Sequence, residues 1–123
     1  MEIEGTPFVT LLHQTGGVPV VKASGEVDLL TAGRFKETLL RAVGDVRADR
    51  PGVVIVDLSG VGFIDSCGVA ALASATREFR NAGGRVHIVT KDSPVARTLG
   101  ITGLFRLFDV FPSVSSAAGR GVA

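Results

Sequence analysis

The run Val53-Val54-Ile55-Val56-Asp57-Leu58 constrains this chain more than any other feature. A strand with one wet face alternates apolar and polar residues. A strand that is apolar almost throughout must be covered on both faces, which is the habit of parallel strands in α/β domains. The chain has 123 residues, enough to surround one such strand with a single core but not to build two. Apolar residues make up 46% and charged residues 20%, so a globular α/β domain rather than a disordered chain is expected.

The flanking segments fit that expectation. Phe8 to His13 and Val18 to Ser24 are rich in β-formers, and Gly16-Gly17 between them predicts an antiparallel hairpin. Thr31 to Arg47 reads as a helix with Phe35, Leu39, Val43 and Val46 on one face. After the apolar run, Ser59 to Ser66 reads as a turn carrying two glycines. A second helix is expected over Cys67 to Asn81, with Val69, Leu72, Ala73, Thr76 and Phe79 inward, stopped by Gly83-Gly84. Arg85 to Thr90 is a further strand. Ser93-Pro94 is a helix start, a hydroxyl cap followed by a proline whose missing N–H costs nothing in the first turn, and Val95 to Leu99 follows as a short helix. Leu107 to Val110 reads as a last short strand and Pro112 to Ala118 as a weak final helix.

The predicted order is therefore β-β-α-β-α-β-α-β-α. It implies a mixed sheet, parallel in its later part, with Val53–Leu58 central and about four helices around it. Residues 1–123 are expected to form one domain. Residues 1–6 and 116–123 are expected to be loose tails, the latter because Ser-Ala-Ala-Gly-Arg-Gly-Val-Ala offers little to pack.

Several functions are disfavoured. The formal net charge is +1 and the Lys and Arg residues are scattered, whereas binding a phosphate backbone or an anionic membrane needs clustered cations. The single cysteine, Cys67, can form no internal disulfide and supports no zinc cluster. Met1 to Thr6 lacks the basic and apolar pattern of a signal peptide, and no apolar run approaches the roughly 20 residues of a membrane span, so a cytoplasmic protein is expected. His13 and His87 fall inside predicted strands without a Cys or carboxylate cluster nearby, a setting in which histidines are usually structural. No Gly-rich phosphate loop ends in Lys-Ser/Thr, and Gly60-Val61-Gly62 lacks the third glycine of a dinucleotide fingerprint. No catalytic residue, cofactor or metal ligand is assigned.

The informative segment is Phe63-Ile64-Asp65-Ser66-Cys67-Gly68, which joins the apolar strand to the second helix. A helix start carries unpaired N–H groups and favours negative charge. Asp65 or Ser66 can merely cap the helix there. Ser66 can also be a phosphate acceptor. Nucleophilic catalysis is poorly supported, because the segment is not Gly-x-Ser-x-Gly and no histidine is placed as a base.

Phe63 to Gly68 resembles the Asp-Ser-Ser/Thr-Gly signature of the bacterial anti-sigma factor antagonists of the STAS domain family. Gly25-Glu26-Val27-Asp28 is similar to the Gly-Glu-Leu/Ile-Asp that ends that family's second strand. Gly83-Gly84 stands before the fourth strand, as it does there. Ser93-Pro94-Val95-Ala96-Arg97-Thr98-Leu99 with Thr102-Gly103-Leu104 resembles the family's Ser-Pro…Leu…Gly-Leu block. The resemblance runs in register from about Phe8 to Val114. It departs at Cys67, where Ser or Thr is usual.

The resemblance implies a STAS-like fold and a partner switch rather than an enzyme. The unmodified protein would bind an anti-sigma factor that is also a serine kinase, so freeing a sigma factor for transcription. The kinase would phosphorylate Ser66, the modified protein would let go, and a serine phosphatase would reset it. The expected partner-binding residues are Asp28, Asp65, Ser66, Cys67 and Gly68, with no direct role for nucleic acid or membrane. For Asp28, a place on the docking surface and a cap on the first helix are both open. Cys67 is expected to act as a small buried residue, a redox role being the alternative, since a thiol at a helix N-terminus can be reactive. The other functions compatible with the resemblance are a non-switching STAS scaffold, as in a lipid-transport or stress-signalling complex, and a small-ligand or nucleotide-binding STAS domain.

Overall fold

The computed structural model describes residues 7–44, 52–91, 93–103 and 109–122. Among these, five strands and four helices follow in the order β1 (Val9–Thr15), β2 (Val18–Val27), α1 (Ala32–Val43), β3 (Val53–Ile64), α2 (Ser66–Asn81), β4 (Arg85–Val89), α3 (Pro94–Ile101), β5 (Asp109–Phe111) and α4 (Val114–Val122). The element order matches the expectation. Residues 1–6, Val46, Leu104 and Leu107, to which several expectations were attached, lie outside the described residues.

The sheet order is β1-β2-β3-β4-β5, with β1 antiparallel to β2 and every later pair parallel. The hairpin closes on Thr15 opposite Val18, so Gly16-Gly17 is a two-residue loop. Their φ angles of 58° and 83° both lie in the left-handed region, the primed turn whose twist matches that of the flanking strands.

β3 is central, as its composition demands. Val54, Val56 and Leu58 face a large cluster with Phe35 and Leu39 of α1, Leu72 and Phe79 of α2, and Val95 and Leu99 of α3. Ile55 faces the other way, into a smaller cluster with Val18, Val20, Val89 and Ala117. Helices α1, α2 and α3 thus cover one face of the sheet, and α4 covers part of the other. Each large side chain buried in this way contributes about 1.5–3 kcal/mol.

Two expectations are corrected. Ser59 to Ile64 is not a turn: β3 runs on to Ile64. Lys22 pairs with Asp57 and Ser24 with Gly60, and Gly25 pairs with Val61 but Glu26 with Phe63, so β3 carries two extra residues relative to β2. These bulges stretch the inward spacing from two to three, so that Leu58, Val61 and Ile64 all reach the helix side. The two glycines that read as a turn are strand residues beside the irregularities. The second correction concerns residues 116–122 of the expected tail, Ala123 lying outside the described residues. Helix α4 runs to Val122, and Ala117 is fully buried against Val20 and Ile55. A small residue is what lets a helix approach this face.

The caps follow the sequence closely. Ser93 Oγ accepts from the Ala96 N–H at 3.2 Å, with Pro94 in the first turn. At the end of α2 the Gly84 N–H donates to the Phe79 carbonyl at 2.7 Å and the Gly83 N–H to Arg80 at 3.0 Å, the paired bonds of a Schellman ending. The first helix is shorter than expected, ending at Val43, with Thr38 and Ala42 joining Phe35 and Leu39 inside.

Candidate functional site

Parallel strands β2 and β3 finish side by side, and this decides where the site lies. Val27 pairs with Ile64, and the Asp65 N–H donates to the Val27 carbonyl at 3.0 Å. The segments beginning at Asp28 and Asp65 therefore leave the same sheet edge together. Loops beyond the carboxyl ends of parallel strands are the usual place for function in α/β folds.

Asp65, and not Ser66, caps α2. Its Oδ1 accepts from the Cys67 N–H at 2.8 Å and the Gly68 N–H at 3.1 Å, and its own backbone is extended, as a cap requires. Ser66 is the first helical residue and is exposed, and its hydroxyl has no hydrogen-bond partner among the described residues. The alternative that Ser66 is held as a cap is thereby removed, and a free hydroxyl stands at a helix N-terminus.

Gly68 fits for a steric reason. A Cβ built there would lie 2.6 Å from Ile64 Cγ1, 2.7 Å from Val27 Cγ1 and 2.9 Å from the Val27 carbonyl oxygen. The first turn of α2 rests directly on the ends of β2 and β3, and any side chain at this position would lift it. Cys67 is half-buried and unpaired.

Asp28 lies on the neighbouring turn. Its Oδ1 accepts from the Leu30 N–H at 3.0 Å and the Thr31 N–H at 3.2 Å. Thr31 Oγ1 accepts from the Asp28 N–H at 2.9 Å and donates to the Glu26 carbonyl at 2.7 Å. The cap on the first helix weighed for Asp28 is not formed: Thr31 holds the N-cap position of α1 without a side-chain cap bond, and the Asp28 carboxylate instead braces the turn before the helix, beside the Asp65–Gly68 segment. Sequence reasoning missed what this turn carries. Leu29 is 75% exposed and Leu30 87% exposed, and Phe63, on the adjacent strand end, is 47% exposed. The signal was present: two leucines between a strand and a helix, out of step with Phe35 and Leu39.

The histidines lie elsewhere. His13 is exposed on edge strand β1. His87 is buried on β4, its Nδ1 3.1 Å from the Ala117 carbonyl of α4. A carbonyl can only accept, so Nδ1 carries the proton and the ring ties α4 to the sheet. Among the described residues, no group of three or more His, Cys, Asp or Glu side chains comes together as a metal site, and no helix is long and apolar enough to cross a membrane.

Comparison with known proteins gives a consistent result. The STAS domain family model matches residues 10–117. The anti-sigma-F factor antagonist RsfB of Mycobacterium tuberculosis is 36% identical over 101 residues, covering 82% of this chain and 79% of RsfB. The crystal structure of an anti-sigma factor antagonist from Mycobacterium paratuberculosis superimposes with a TM-score of 0.83 at 27% identity, covering 95% of this chain and 96% of that one. The Bacillus cell fate determinant SpoIIAA in its phosphorylated form shares the fold, with a TM-score of 0.66 at 21% identity over 91% of this chain and 98% of that one.

Proposed function

The chain belongs to the STAS domain family, and from that premise we propose that it is an anti-sigma factor antagonist switched by phosphorylation of Ser66. The unmodified protein binds an anti-sigma factor with serine kinase activity through the surface around Asp28, Asp65, Ser66, Cys67 and Gly68. A serine phosphatase restores it after modification. The observation that carries this reading is the exposed Ser66 hydroxyl, left without a structural task because Asp65 caps the helix. The names of RsfB and of the Mycobacterium paratuberculosis structure support the partner class.

The physics of such a switch is local. A phosphate adds about −1.5 to −2 charge at neutral pH. At an exposed first-turn position, near the positive end of the α2 dipole, it costs the isolated domain little. Asp65 already takes the Cys67 and Gly68 N–H groups, so the phosphate stays outside and hydrated instead of sinking into the helix end. A partner seated over Ser66 would have to strip water from that dianion, which an interface tolerates poorly. Binding is then lost without unfolding.

The test uses three proteins and the purified anti-sigma kinase of the host. Ser66→Ala should bind as the parent does and stay bound when ATP is added. Ser66→Asp should bind at least tenfold more weakly, with its melting temperature close to that of the parent. Ser66→Asp binding as tightly as the parent, with no phosphate on Ser66 after incubation with kinase and ATP, would sink the reading and favour a non-switching scaffold.

A further inference from the structure

Leu29 and Leu30 sit at the tip of the β2–α1 turn and are, at 75% and 87% exposure, among the most exposed large apolar side chains of the described residues. Exposed leucines on a loose loop would mean little. These are held in place. The turn beneath them is fixed by the Asp28 carboxylate, which accepts from Leu30 N–H and Thr31 N–H, and by the Thr31 hydroxyl, which bridges Asp28 N–H and the Glu26 carbonyl. A turn whose backbone is already fixed loses little further freedom on binding, and this favours the side chains it presents as contact anchors.

Their position is equally informative. Val27 pairs with Ile64, so the leucine turn and Ser66 leave neighbouring strands at one level. Phe63, alternate to the inward Ile64, stands exposed at the end of β3 on the sheet face opposite α1 and α2. Apolar side chains therefore lie on both sides of the β3–α2 junction that carries Ser66. Glu26, Asp28 and Asp65 lie at this edge together with the cation Arg34, which donates to the Phe8 carbonyl beside Gly25, whereas the first turn of α2 carries no charged side chain.

We propose that Leu29, Leu30 and Phe63 are the apolar anchors by which this chain docks on its anti-sigma factor. The inference rests on the reading given under Proposed function. It adds the residues that supply affinity and a positioning role for Asp28, which acts by holding the leucine turn. It also accounts for the leverage of a phosphate on Ser66. The modification would fall within the ring of anchors, where an interface must be dry, and not at a wet rim.

The experiment measures affinity for the host anti-sigma kinase, purified through its binding to the unmodified chain, by titration calorimetry without ATP. Leu30→Ser and Phe63→Ser should each weaken binding by about ten- to a hundredfold, since each removes a large apolar contact. Their melting temperatures should stay near that of the parent, because these side chains are exposed in the free protein. Asp28→Asn keeps the acceptor for the Leu30 and Thr31 N–H groups and should bind within a few-fold of the parent, whereas Asp28→Ala should lose tenfold or more. Parental affinity in both Leu30→Ser and Phe63→Ser would overturn the proposal while leaving the Ser66 switch standing. So would sedimentation showing a dimer of this chain that Leu30→Ser disrupts without change in kinase affinity, which would assign the leucines to self-association. If instead the parent chain bound no anti-sigma factor, the functional reading itself would fail and this inference with it.

Discussion

Replacing Gly68 by Ala sets two physical effects against each other, and the structure says which prevails. Intrinsic propensity favours the change: alanine is up to about 1 kcal/mol better than glycine inside a helix, and somewhat less in the first turn. Packing opposes it. The new methyl would stand 2.6 Å from Ile64 Cγ1, 2.7 Å from Val27 Cγ1 and 2.9 Å from the Val27 carbonyl oxygen. The two side chains can rotate away, but the carbonyl cannot, because it accepts the Asp65 N–H at 3.0 Å and belongs to the β2–β3 edge. The helix start must therefore lift. Overpacking of this kind costs about 1–3 kcal/mol. With the propensity gain deducted, Gly68→Ala should lose about 1–2 kcal/mol, which lowers Tm by roughly 4–8 °C for a domain of this size. Thermal and urea unfolding followed by circular dichroism measure both quantities. Gly62→Ala is the control: it changes the same residue type in the adjoining strand, where an added Cβ meets nothing within 4 Å, and it should shift stability by less than about 0.5 kcal/mol. A Gly68→Ala protein that melts at or above the parent temperature would refute the packing argument. Because the lift moves Ser66 with the helix, the same variant should also bind the anti-sigma factor less well than its stability loss alone explains.

Two further outcomes follow from the same junction. Asp65→Ala should lose about 1 kcal/mol through the vacated α2 cap, while Asp65→Asn, which keeps an acceptor for Cys67 and Gly68, should lose only a few tenths; equal losses in urea unfolding would mean that Oδ1 does not cap. Cys67→Ser should leave stability and kinase affinity nearly unchanged under reducing conditions, and abolished binding there would assign the half-buried thiol a role beyond filling space.

Much of the fold can be read from local patterns. The apolar run of β3 marks a strand covered on both faces, and the 3- and 4-residue spacing of Phe35 and Leu39, and of Leu72, Thr76 and Phe79, marks the two helices that cover one of them. Gly16-Gly17, Gly83-Gly84 and Ser93-Pro94 punctuate the chain because their backbone chemistry is local. These features depend on neighbours within a few residues, so the sequence carries them directly. Ser66 is legible in the same way, as a serine between a strand and a helix within an Asp-Ser-x-Gly signature.

What the tertiary structure decided depends on contacts between distant segments. Glycines in Ser59 to Ile64 signal a turn, but pairing with β2 holds this stretch in the sheet, and two bulges re-aim Val61 and Ile64 into the core. Ser116 to Ala118 look too small to pack, yet Ala117 is buried because the sheet face formed by Val20, Ile55 and Val89 admits a helix only at close approach. The division of labour at the site was undecided in the same sense. Either Asp65 or Ser66 could have capped α2, and the backbone at the end of β3 gave the cap to Asp65 and left the Ser66 hydroxyl free. Leu29 and Leu30 became candidate anchors once the parallel pairing of β2 with β3 set their turn beside that hydroxyl, a proximity that spans more than 30 residues of sequence and that no local pattern encodes.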